Sequence, residues 1–455
     1  MEKVRIGLVS LGCPKNLVDS EELLGALTEG GRGQLVEGDA PADVVVVNTC
    51  AFIESAKRES LAAIRSALAR KERGEISKVV VAGCLAQRYA ETLARDLPDV
   101  DGLFGIQSAT QIADSIFPRR SGFELPVLGN NFVQPITEKY PLIPPSRVRA
   151  TAPWTAYLKI SEGCDHACTF CSIPSFRGKH RSKPLERIVN EAKRLVDAGA
   201  IELNLIAQDT TAYGMDLYKE LALPRLLTEL GKIDNLKWVR LLYCYPTMMT
   251  DRLIQTMADT PNVAHYVDIP LQHGDDGMLK RMKRGGSVSS YYRLLERLRG
   301  AMPDIAVRTT FLVGFPGEDA AAFAQLSAFV KEARFDRLGV FEYSPEEGTP
   351  GFELRPRVPE RIARQRRRAL MALQQPISLA ANQALVGREL EVLVEGREGD
   401  ALIARSWRDA PEIDGTVRVV GAQKSGGAQA ELGSWLRVRI TEAQPYDLYA
   451  ELSGG

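Results

Sequence analysis

The sequence feature that most constrains the fold is an alternation of short, β-branched apolar runs with helical patterns. In the first part of the chain the runs are VRIGLV (4–9), DVVVVN (43–48) and KVVVAG (78–83), and helical patterns separate them. Apolar strands that alternate with helices are typical of a parallel sheet covered on both faces. We therefore predict an α/β protein whose N-terminal domain, residues 1–117, is a doubly wound parallel sheet.

Seven prolines interrupt the next stretch, residues 118–153, and predict an extended linker. They are Pro118, Pro126, Pro135, Pro141, Pro144, Pro145 and Pro153.

A second alternating region predicts a central domain over residues 154–385. Its apolar runs are AYLKIS (156–161), IELNLIAQ (201–208), KWVRLLYCY (237–245), AHYVDIPLQ (264–272), AVRTTFLVG (306–314) and RLGVFEYS (337–344). Six βα units are fewer than the eight of a closed barrel, so we expect an open (β/α)6 partial barrel of the TIM type.

The last segment, residues 386–455, has a different pattern. The runs ELEVLVEG, ALIARSW, GTVRVV and WLRVRITEA alternate with glycine-rich turns and predict a small antiparallel β-barrel. A long basic helical pattern, which includes RQRRRAL, precedes it and is interpreted as a solvated face or as a docking patch for RNA or an acidic surface.

Composition narrows the functional classes. The chain has 58 basic and 58 acidic residues, so no global charge favours a polyanion. No apolar run reaches the length of a membrane span, and the first residues resemble a strand rather than a signal peptide. We expect a cytoplasmic protein without a membrane partner, in which clustered cysteines bind metal or act in catalysis.

One cysteine cluster lies in the stretch EGCDHACTFCSIPSFRG (162–178). Cys164, Cys168 and Cys171 are spaced C-x3-C-x2-C just after a predicted strand. Three thiolates can hold three irons of a [4Fe–4S] cluster and leave the fourth iron without a protein ligand. Such an iron can chelate the amino and carboxylate groups of S-adenosylmethionine.

Zinc and plain buried thiols are the alternatives at this cluster. His166 or His180 could complete a zinc site, but zinc usually binds paired C-x2-C or C…H units. The remaining cysteine, Cys244, lies within a predicted strand and is interpreted as a core thiol.

Three further cysteines follow separate predicted strands. Cys13, Cys50 and Cys84 come at the carboxyl ends of the first three runs. Those ends line one crevice in an open α/β sheet, so we expect the three thiols to converge as ligands of a second cluster. The alternative is three ordinary buried cysteines.

Two weaker motifs follow strands of the central domain. In LVGFPGED (312–319), Gly314 and Gly317 could let the backbone approach a cofactor, or could form an ordinary turn. Gln272 and His273 end another strand on the expected active face, where a structural and a catalytic role are equally open.

The order of these parts resembles the methylthiotransferase family of radical S-adenosylmethionine enzymes across nearly the whole chain. The C-x3-C-x2-C spacing resembles the radical signature, including Phe170, which the resemblance places near the adenine and which could otherwise be a core residue. The N-terminal domain resembles the one characteristic of that family. The last segment resembles its TRAM domain, which is similar to an OB fold.

Four stretches resemble the branch that modifies an aspartate of the small-subunit ribosomal protein S-twelve. They are SLGCPKNLVDSE (10–21), KISEGCDHACTFCSIPSFRGKHRSKP (159–184), LIAQDTTAYGMDLY (205–218) and RSWRDAPEIDG (405–415). The competing branch modifies a tRNA adenosine and usually has Gln-Met-Asn where this chain has Pro14, Lys15 and Asn16.

Charge favours the same branch. Residues 386–455 hold 12 acidic and eight basic residues, a net charge of −4. A barrel that bound tRNA would need positive charge to neutralise phosphates, whereas an acidic barrel suits a basic ribosomal protein.

The resemblance implies two [4Fe–4S] clusters and S-adenosylmethionine, with no catalytic side chain. A radical made at the first cluster would take hydrogen from the aspartate β-carbon, and the second cluster would supply a methylated sulfur. The implied partners are the ribosomal protein, free or in its subunit, and a low-potential electron donor such as flavodoxin or ferredoxin, and we expect a monomer. A tRNA methylthiotransferase and a non-catalytic iron–sulfur carrier are the alternatives.

Overall fold

The computed structural model of the chain describes residues 3–38, 40–117, 130–136, 147–421 and 430–453. Most of the predicted linker, namely residues 118–129 and 137–146, lies outside the described residues.

The N-terminal domain is built on a five-stranded parallel sheet of order β2-β1-β3-β4-β5. The strands are β1 (Val4–Ser10), β2 (Gly33–Leu35), β3 (Ala42–Thr49), β4 (Ile76–Gly83) and β5 (Gly102–Leu103). The helices are α1 (Pro14–Thr28), α2 (Glu54–Glu72), α3 (Cys84–Asp96) and α4 (Ala109–Ile116), with a 3-10 turn at Glu29–Gly31. The valines of β3 and β4 point into cores on both faces, as predicted for a doubly wound sheet.

The central domain contains a six-stranded parallel sheet and a two-stranded hairpin. The strands are β6 (Thr155–Lys159), β7 (Ser161–Glu162), β8 (Arg181–Ser182), β9 (Glu202–Ile206), β10 (Trp238–Leu241), β11 (Val263–Asp268), β12 (Ala306–Val313) and β13 (Arg337–Glu342). The sheet order is β13-β12-β11-β10-β9-β6, and β7 pairs with β8. Among the described residues β6 and β13 do not pair with each other, so the barrel is open as predicted.

The helices of this domain cover the outside of the sheet. They are α5 (Ile173–Arg177), α6 (Leu185–Asp197), α7 (Leu223–Leu230), α8 (Asp251–Asp259), α9 (Asp276–Arg281), α10 (Val288–Ala301), α11 (Ala320–Ala333), α12 (Pro350–Glu353) and α13 (Glu360–Gln383), with a 3-10 turn at Pro246–Met248. The arginines of RQRRRAL lie on α13, where Arg364, Arg367 and Arg368 are exposed.

The C-terminal domain is a closed five-stranded barrel of order β14-β15-β16-β18-β17. Its strands are β14 (Glu389–Glu398), β15 (Ala401–Arg405), β16 (Val417–Val420), β17 (Trp435–Ala443) and β18 (Leu448–Leu452). Four strands were predicted and β18 was not. The pairing is antiparallel except between β16 and β18, which run parallel.

The C-terminal barrel docks on the partial barrel through buried ion pairs. Arg405 donates from Nη1 to Glu202 Oε1 at 3.0 Å, and Arg240 Nε donates to the same oxygen at 3.0 Å. All three side chains are buried. Trp238 and Trp435 meet beside them with ring centroids 4.4 Å apart. The loop that contains RSWRDAPEIDG therefore joins two domains.

We predict that Glu202→Gln weakens this junction strongly. The substitution leaves the buried guanidinium of Arg240 without a counter-charge and Arg405 with Glu395 alone, which costs about 3–5 kcal/mol in free energy of unfolding. The four tryptophans of the chain all pack in the cluster at this junction, so urea unfolding followed by tryptophan fluorescence reports on it. As a control, Arg437→Ala on the same barrel removes an exposed pair with Glu389 and should cost less than about 1 kcal/mol.

The effect of Glu202→Gln should depend on pH. Burial alone would raise the pKa of Glu202, but Arg405 and Arg240 outweigh it and hold the pKa at about 2. An unfolded glutamate has a pKa of about 4.3. The stabilisation is therefore complete above that pH and is lost as the pH falls toward 2. Equal effects of the substitution at pH 7 and pH 2 would contradict this assignment.

Candidate functional site

Three cysteines, which we call the N-terminal triad, meet at the carboxyl edge of the first sheet. Cys13 precedes α1, Cys50 follows β3, and Cys84 begins α3 directly after β4. Their strands β1, β3 and β4 are neighbours in the sheet. A Cβ atom at residue 12 would lie 3.0 Å from Cys50 Sγ, which shows how closely the loop of Cys13 passes that thiol. The predicted convergence is what the fold produces.

A glycine lets the chain turn into Cys84. Gly83 has a φ of +92°, a conformation that residues with a side chain rarely adopt. A Cβ there would lie 2.3 Å from Asn48 Oδ1 and 2.7 Å from the Thr49 carbonyl oxygen. The turn therefore requires glycine.

The other three cysteines, which we call the barrel triad, lie in the loop between β7 and α5. Cys164 N–H donates to the Gly178 carbonyl at 3.0 Å, and Thr169 N–H donates to the Met282 carbonyl at 2.9 Å. The first bond holds the start of the loop to the end of α5, and the second holds Thr169 to the residue after α9. The loop follows β6 and β7, at the carboxyl end of the barrel, where active sites of such barrels lie. The Cys168 sulfur is 3.8 Å from Arg284 Nη1.

All six thiols are free, and burial shapes their ionisation. Burial raises the pKa of Cys84, Cys164 and Cys171, each to about 12. At Cys13 burial acts in the same direction, but the neighbouring cations Lys15 and Arg177 outweigh it and the pKa is lowered. Metal binding would remove protons from these buried thiols and convert them to ligands.

Each triad offers three thiols, the number that can hold three irons of a [4Fe–4S] cluster. In the described part of the chain, no three His, Cys, Asp or Glu side chains gather around a point that one metal ion could occupy. A four-iron cube spreads its thiolate ligands over several metal atoms and so accepts a wider spacing. His166 Nε2 is 2.6 Å from Asp209 Oδ2, and His180 Nε2 is 3.2 Å from Ser182 Oγ. Each of these contacts uses one ring nitrogen, and Nδ1 of His180 has no hydrogen-bond partner among the described residues, so zinc stays the alternative at the barrel triad.

Arg177 connects the two triads. Its helix, α5, begins two residues after Cys171 and ends at Arg177, a length of about 7.5 Å at 1.5 Å per residue. Arg177 Nη2 is 3.1 Å from Cys84 Sγ in the N-terminal triad. The same guanidinium donates to Asp19 Oδ2 at 3.0 Å and to Glu162 Oε1 at 2.8 Å. The triads therefore lie on two sides of one domain interface.

Two tyrosines after β10 face the two triads. Lys15 Nζ lies 3.1 Å from the ring centroid of Tyr243. The ring of Tyr245 stacks on His166 with centroids 3.6 Å apart, and Arg284 lies over it at 3.9 Å. Tyr243 has a φ of +61°, a strained conformation of the kind that clusters at functional sites.

Sequence reasoning assigned no role to Lys15, Arg177, the two tyrosines or Arg284. A signal was present for some of them. Lys15 follows a triad cysteine by two residues, and the tyrosines end a barrel strand where active sites lie. Arg177 and Arg284 could be recognised only from their contacts in space.

The residues predicted to bind the cofactor have structural contacts of their own. Phe170 is half-buried and packs on the cluster around Met278 and Phe315. A Cβ at Gly314 would lie 2.5 Å from Ala363 Cβ, and one at Gly317 would lie 2.7 Å from Arg281 Nε. Packing alone explains these two glycines, and the cofactor role of all three residues stays a prediction.

His273 and Cys244 belong to the core. His273 is fully buried, and its Nδ1 accepts a hydrogen bond from Asp275 N–H at 3.1 Å. This supports a structural role. Cys244 is 1% exposed within the main core of the central domain, which agrees with its interpretation as a core thiol. Gln272 lies in the loop between β11 and α9 and has a φ of +76°.

Three protein families match the chain. Residues 158–330 match the Radical SAM superfamily, residues 5–105 match Uncharacterized protein family UPF0004, and residues 386–452 match the TRAM domain. Together they cover the three folded parts of the molecule.

Curated relatives match nearly the full length. A protein of Desulforamulus reducens described as "Ribosomal protein uS12 methylthiotransferase RimO" is 44% identical over 98% of this chain and 99% of its own length. Proteins with the same description are 46% identical in Geobacter sulfurreducens, over 99% of both chains, and 47% identical in Anaeromyxobacter sp. (strain K), over 98% of this chain and 92% of its own length.

Solved structures share the fold at low sequence identity. The radical S-adenosylmethionine methyltransferase TsrM from Kitasatospora setae superposes with a TM-score of 0.55, 14% identity and coverage of 88% of this chain and 79% of that chain. The cobalamin-dependent S-adenosylmethionine radical enzyme OxsB gives a TM-score of 0.51 and 13% identity over 82% of this chain and 56% of its own. No helix within the described ranges is long and apolar enough to cross a membrane.

We predict that Arg177→Met destabilises the interface between the triads. Arg177 is 2% exposed, and its loss leaves the carboxylates of Asp19 and Glu162 short of a counter-charge in a buried site. The expected cost is about 3–5 kcal/mol, read as a lower midpoint of urea unfolding. Lys179→Met, at an exposed site two residues away, should change stability by less than about 0.5 kcal/mol. Equal stability of the two variants would contradict the role of Arg177.

Proposed function

This chain belongs to the RimO family of radical S-adenosylmethionine methylthiotransferases, and on that basis we propose that it attaches a methylthio group to the β-carbon of an aspartate in ribosomal protein uS12. The observation that carries the proposal is the meeting of two triads of free cysteines at one interface, joined by the helix that ends at Arg177. Joining sulfur to an unactivated carbon needs a site that activates the carbon beside a site that supplies the sulfur. Two adjacent triads meet that need.

We assign one [4Fe–4S] cluster to each triad. Six free thiols, three at strand ends and three in one loop, and a glycine turn that leads into Cys84 support the assignment. When bound, the barrel-triad cluster offers S-adenosylmethionine an open iron and the radical chemistry of its cleavage, and the N-terminal cluster offers the sulfur.

The side chains around the triads hold and shield these groups. Arg177 places a positive charge against Cys84, and Arg284 places one beside Cys168. The ring of His166, which lies in the loop of the barrel triad, stacks on Tyr245. Phe170, Gly314 and Gly317 are proposed to lie along S-adenosylmethionine, with Phe170 nearest the adenine.

The division of labour among domains follows the same assignment. We propose that residues 1–117 form the methylthiotransferase domain with the second cluster, 118–153 the linker, 154–385 the radical domain and 386–455 the TRAM domain. The protein is proposed to act as a monomer with a low-potential donor such as flavodoxin or ferredoxin. Its substrate is a ribosomal protein, free or in the subunit, which places the reaction in the cytoplasm.

The surface of the C-terminal barrel supports a basic protein substrate. Its buried charged residues, such as Arg405 and Arg408, form hydrogen bonds at the domain junction and do not contribute to the exposed surface. In the part of this barrel that the structure describes, eight exposed carboxylates face only four exposed guanidinium groups. The carboxylates are Glu389, Glu391, Glu398, Asp400, Glu412, Glu431, Glu442 and Glu451, and the guanidinium groups are Arg388, Arg397, Arg437 and Arg439. Such a surface repels phosphates and attracts a basic partner.

We predict that the two triads fail in different ways. Cys168→Ala should abolish formation of deoxyadenosine, whereas Cys50→Ala should leave that cleavage intact and stop transfer of the methylthio group. Each variant should lose about four irons per chain, because each triad holds one cluster. Cys244→Ala is the matched control, since that buried thiol lies in the core and should leave the iron content and both reactions unchanged.

The substrate is tested with the same preparations. Reduced, reconstituted enzyme is given S-adenosylmethionine with either uS12 or unmodified tRNA, and the products are read by mass spectrometry. An adduct on an aspartate of uS12 is expected. An adduct on tRNA alone would overturn the substrate, and identical behaviour of Cys168→Ala and Cys50→Ala would overturn the division between the triads.

A further inference from the structure

Lys15 crosses the interface between the two triads. It is the second residue of α1, two residues after Cys13, and is 7% exposed. Its Nζ lies 3.1 Å from the ring centroid of Tyr243, which belongs to the central domain. The side chain therefore leaves its own domain and ends at the mouth of the barrel.

The ammonium group of Lys15 has no counter-ion in the described chain. No carboxylate lies within 4.0 Å of its Nζ, and it donates no hydrogen bond there to any protein group. Besides its cation–π contact with Tyr243, Lys15 is attracted through space by the sulfur of Cys13, a predicted cluster ligand, and by the carboxylates of Asp268 and Glu162. A ring face compensates a buried cation only in part, so an anion placed beside Lys15 would be attracted to it.

The nearest carboxylates are already occupied by other cations. Asp268 accepts a hydrogen bond from Arg308 Nη1 at 2.8 Å and another from Tyr243 N–H at 3.2 Å. Glu162 accepts from Arg177 Nη1 at 2.8 Å and from Gln208 Nε2 at 2.6 Å. Arg308 and Arg177 are therefore hydrogen-bonded to these carboxylates, whereas Lys15 is not.

Lys15 acts on the cysteines only through space, where it and Arg177 lower the pKa of Cys13. Arg177 already donates to Cys84, whereas Lys15 Nζ donates to no sulfur among the described residues. Lys15 instead extends over Tyr243, whose strained backbone positions the ring beneath it. The N-terminus of the 15-residue helix α1 adds a positive potential at the same place.

We propose that Lys15 binds the side-chain carboxylate of the substrate aspartate and so places its β-carbon beside the N-terminal triad. This inference rests on the proposed function. The β-carbon is bonded directly to the carboxylate carbon, so holding the carboxylate fixes the carbon that receives sulfur. A charged anchor also distinguishes aspartate from asparagine, which has the same shape and no charge.

The test is a double-substitution cycle on binding. Reconstituted enzyme without S-adenosylmethionine is titrated with labelled uS12, and with uS12 whose modified aspartate, located by mass spectrometry, is changed to asparagine. Lys15→Met keeps the length of the side chain and removes its charge. It should weaken binding of the aspartate form about tenfold to a hundredfold, the range for a hydrogen bond between charged groups, and leave the asparagine form unchanged.

Two further variants separate charge from structure. Lys15→Arg should restore part of the affinity for the aspartate form, because it restores the charge. Lys179→Met, at an exposed lysine, should bind both forms like the unsubstituted enzyme. Lys15→Met should also keep its iron content and form deoxyadenosine in the absence of uS12, which shows that both clusters are in place.

The remaining outcomes overturn the proposal in distinguishable ways. Equal weakening of both forms by Lys15→Met would assign Lys15 a structural role, and unchanged binding of both would assign it none. Loss of iron in Lys15→Met would make it a residue that supports the cluster. If the unsubstituted enzyme neither binds nor modifies uS12, the proposed function fails and this inference falls with it.

Discussion

The buried guanidinium of Arg177 is the interaction on which the arrangement of the site depends. It belongs to the central domain, but two of its partners, Asp19 and Cys84, belong to the N-terminal domain. A second cation, Lys159, also bonds to Asp19 across the same boundary. Buried charges of this kind are costly unless every partner is in place. The buried charges therefore fix how the two domains dock. The docking in turn fixes the positions of the two triads relative to each other.

Much of the fold could be predicted from the chain because its strands are apolar on both sides. The valine runs of β3 and β4 match their predicted bounds within two residues. The strands β2 and β5 have three and two residues, too few to form a pattern. The strand β18 was missed because LYAEL is short and contains Ala and Glu, which are depleted in strands, and its parallel pairing with β16 is a tertiary feature.

The candidate site was predictable as far as its cysteines and no further. Each cysteine of the N-terminal triad follows a strand, and the ends of parallel strands meet at one edge, so a local signal led to a spatial prediction. The predicted strand 237–245 ends instead at Leu241, because Tyr243 turns into a left-handed conformation beneath Lys15. The contact between Lys15 and Tyr243 joins residues more than 200 positions apart in the sequence. The hydrophobic periodicity of the sequence does not predict such a contact.

The depth of the cysteines has a consequence for maturation of the protein. Cys50, Cys84 and Cys168 are each at most 8% exposed once the domains have closed. A scaffold protein that delivers iron and sulfide by direct contact could not reach them in the closed chain. If the triads bind clusters as proposed, delivery by direct contact requires the N-terminal and central domains to be apart. A chain that has already closed would have to open the Arg177 contacts before such a scaffold could load it.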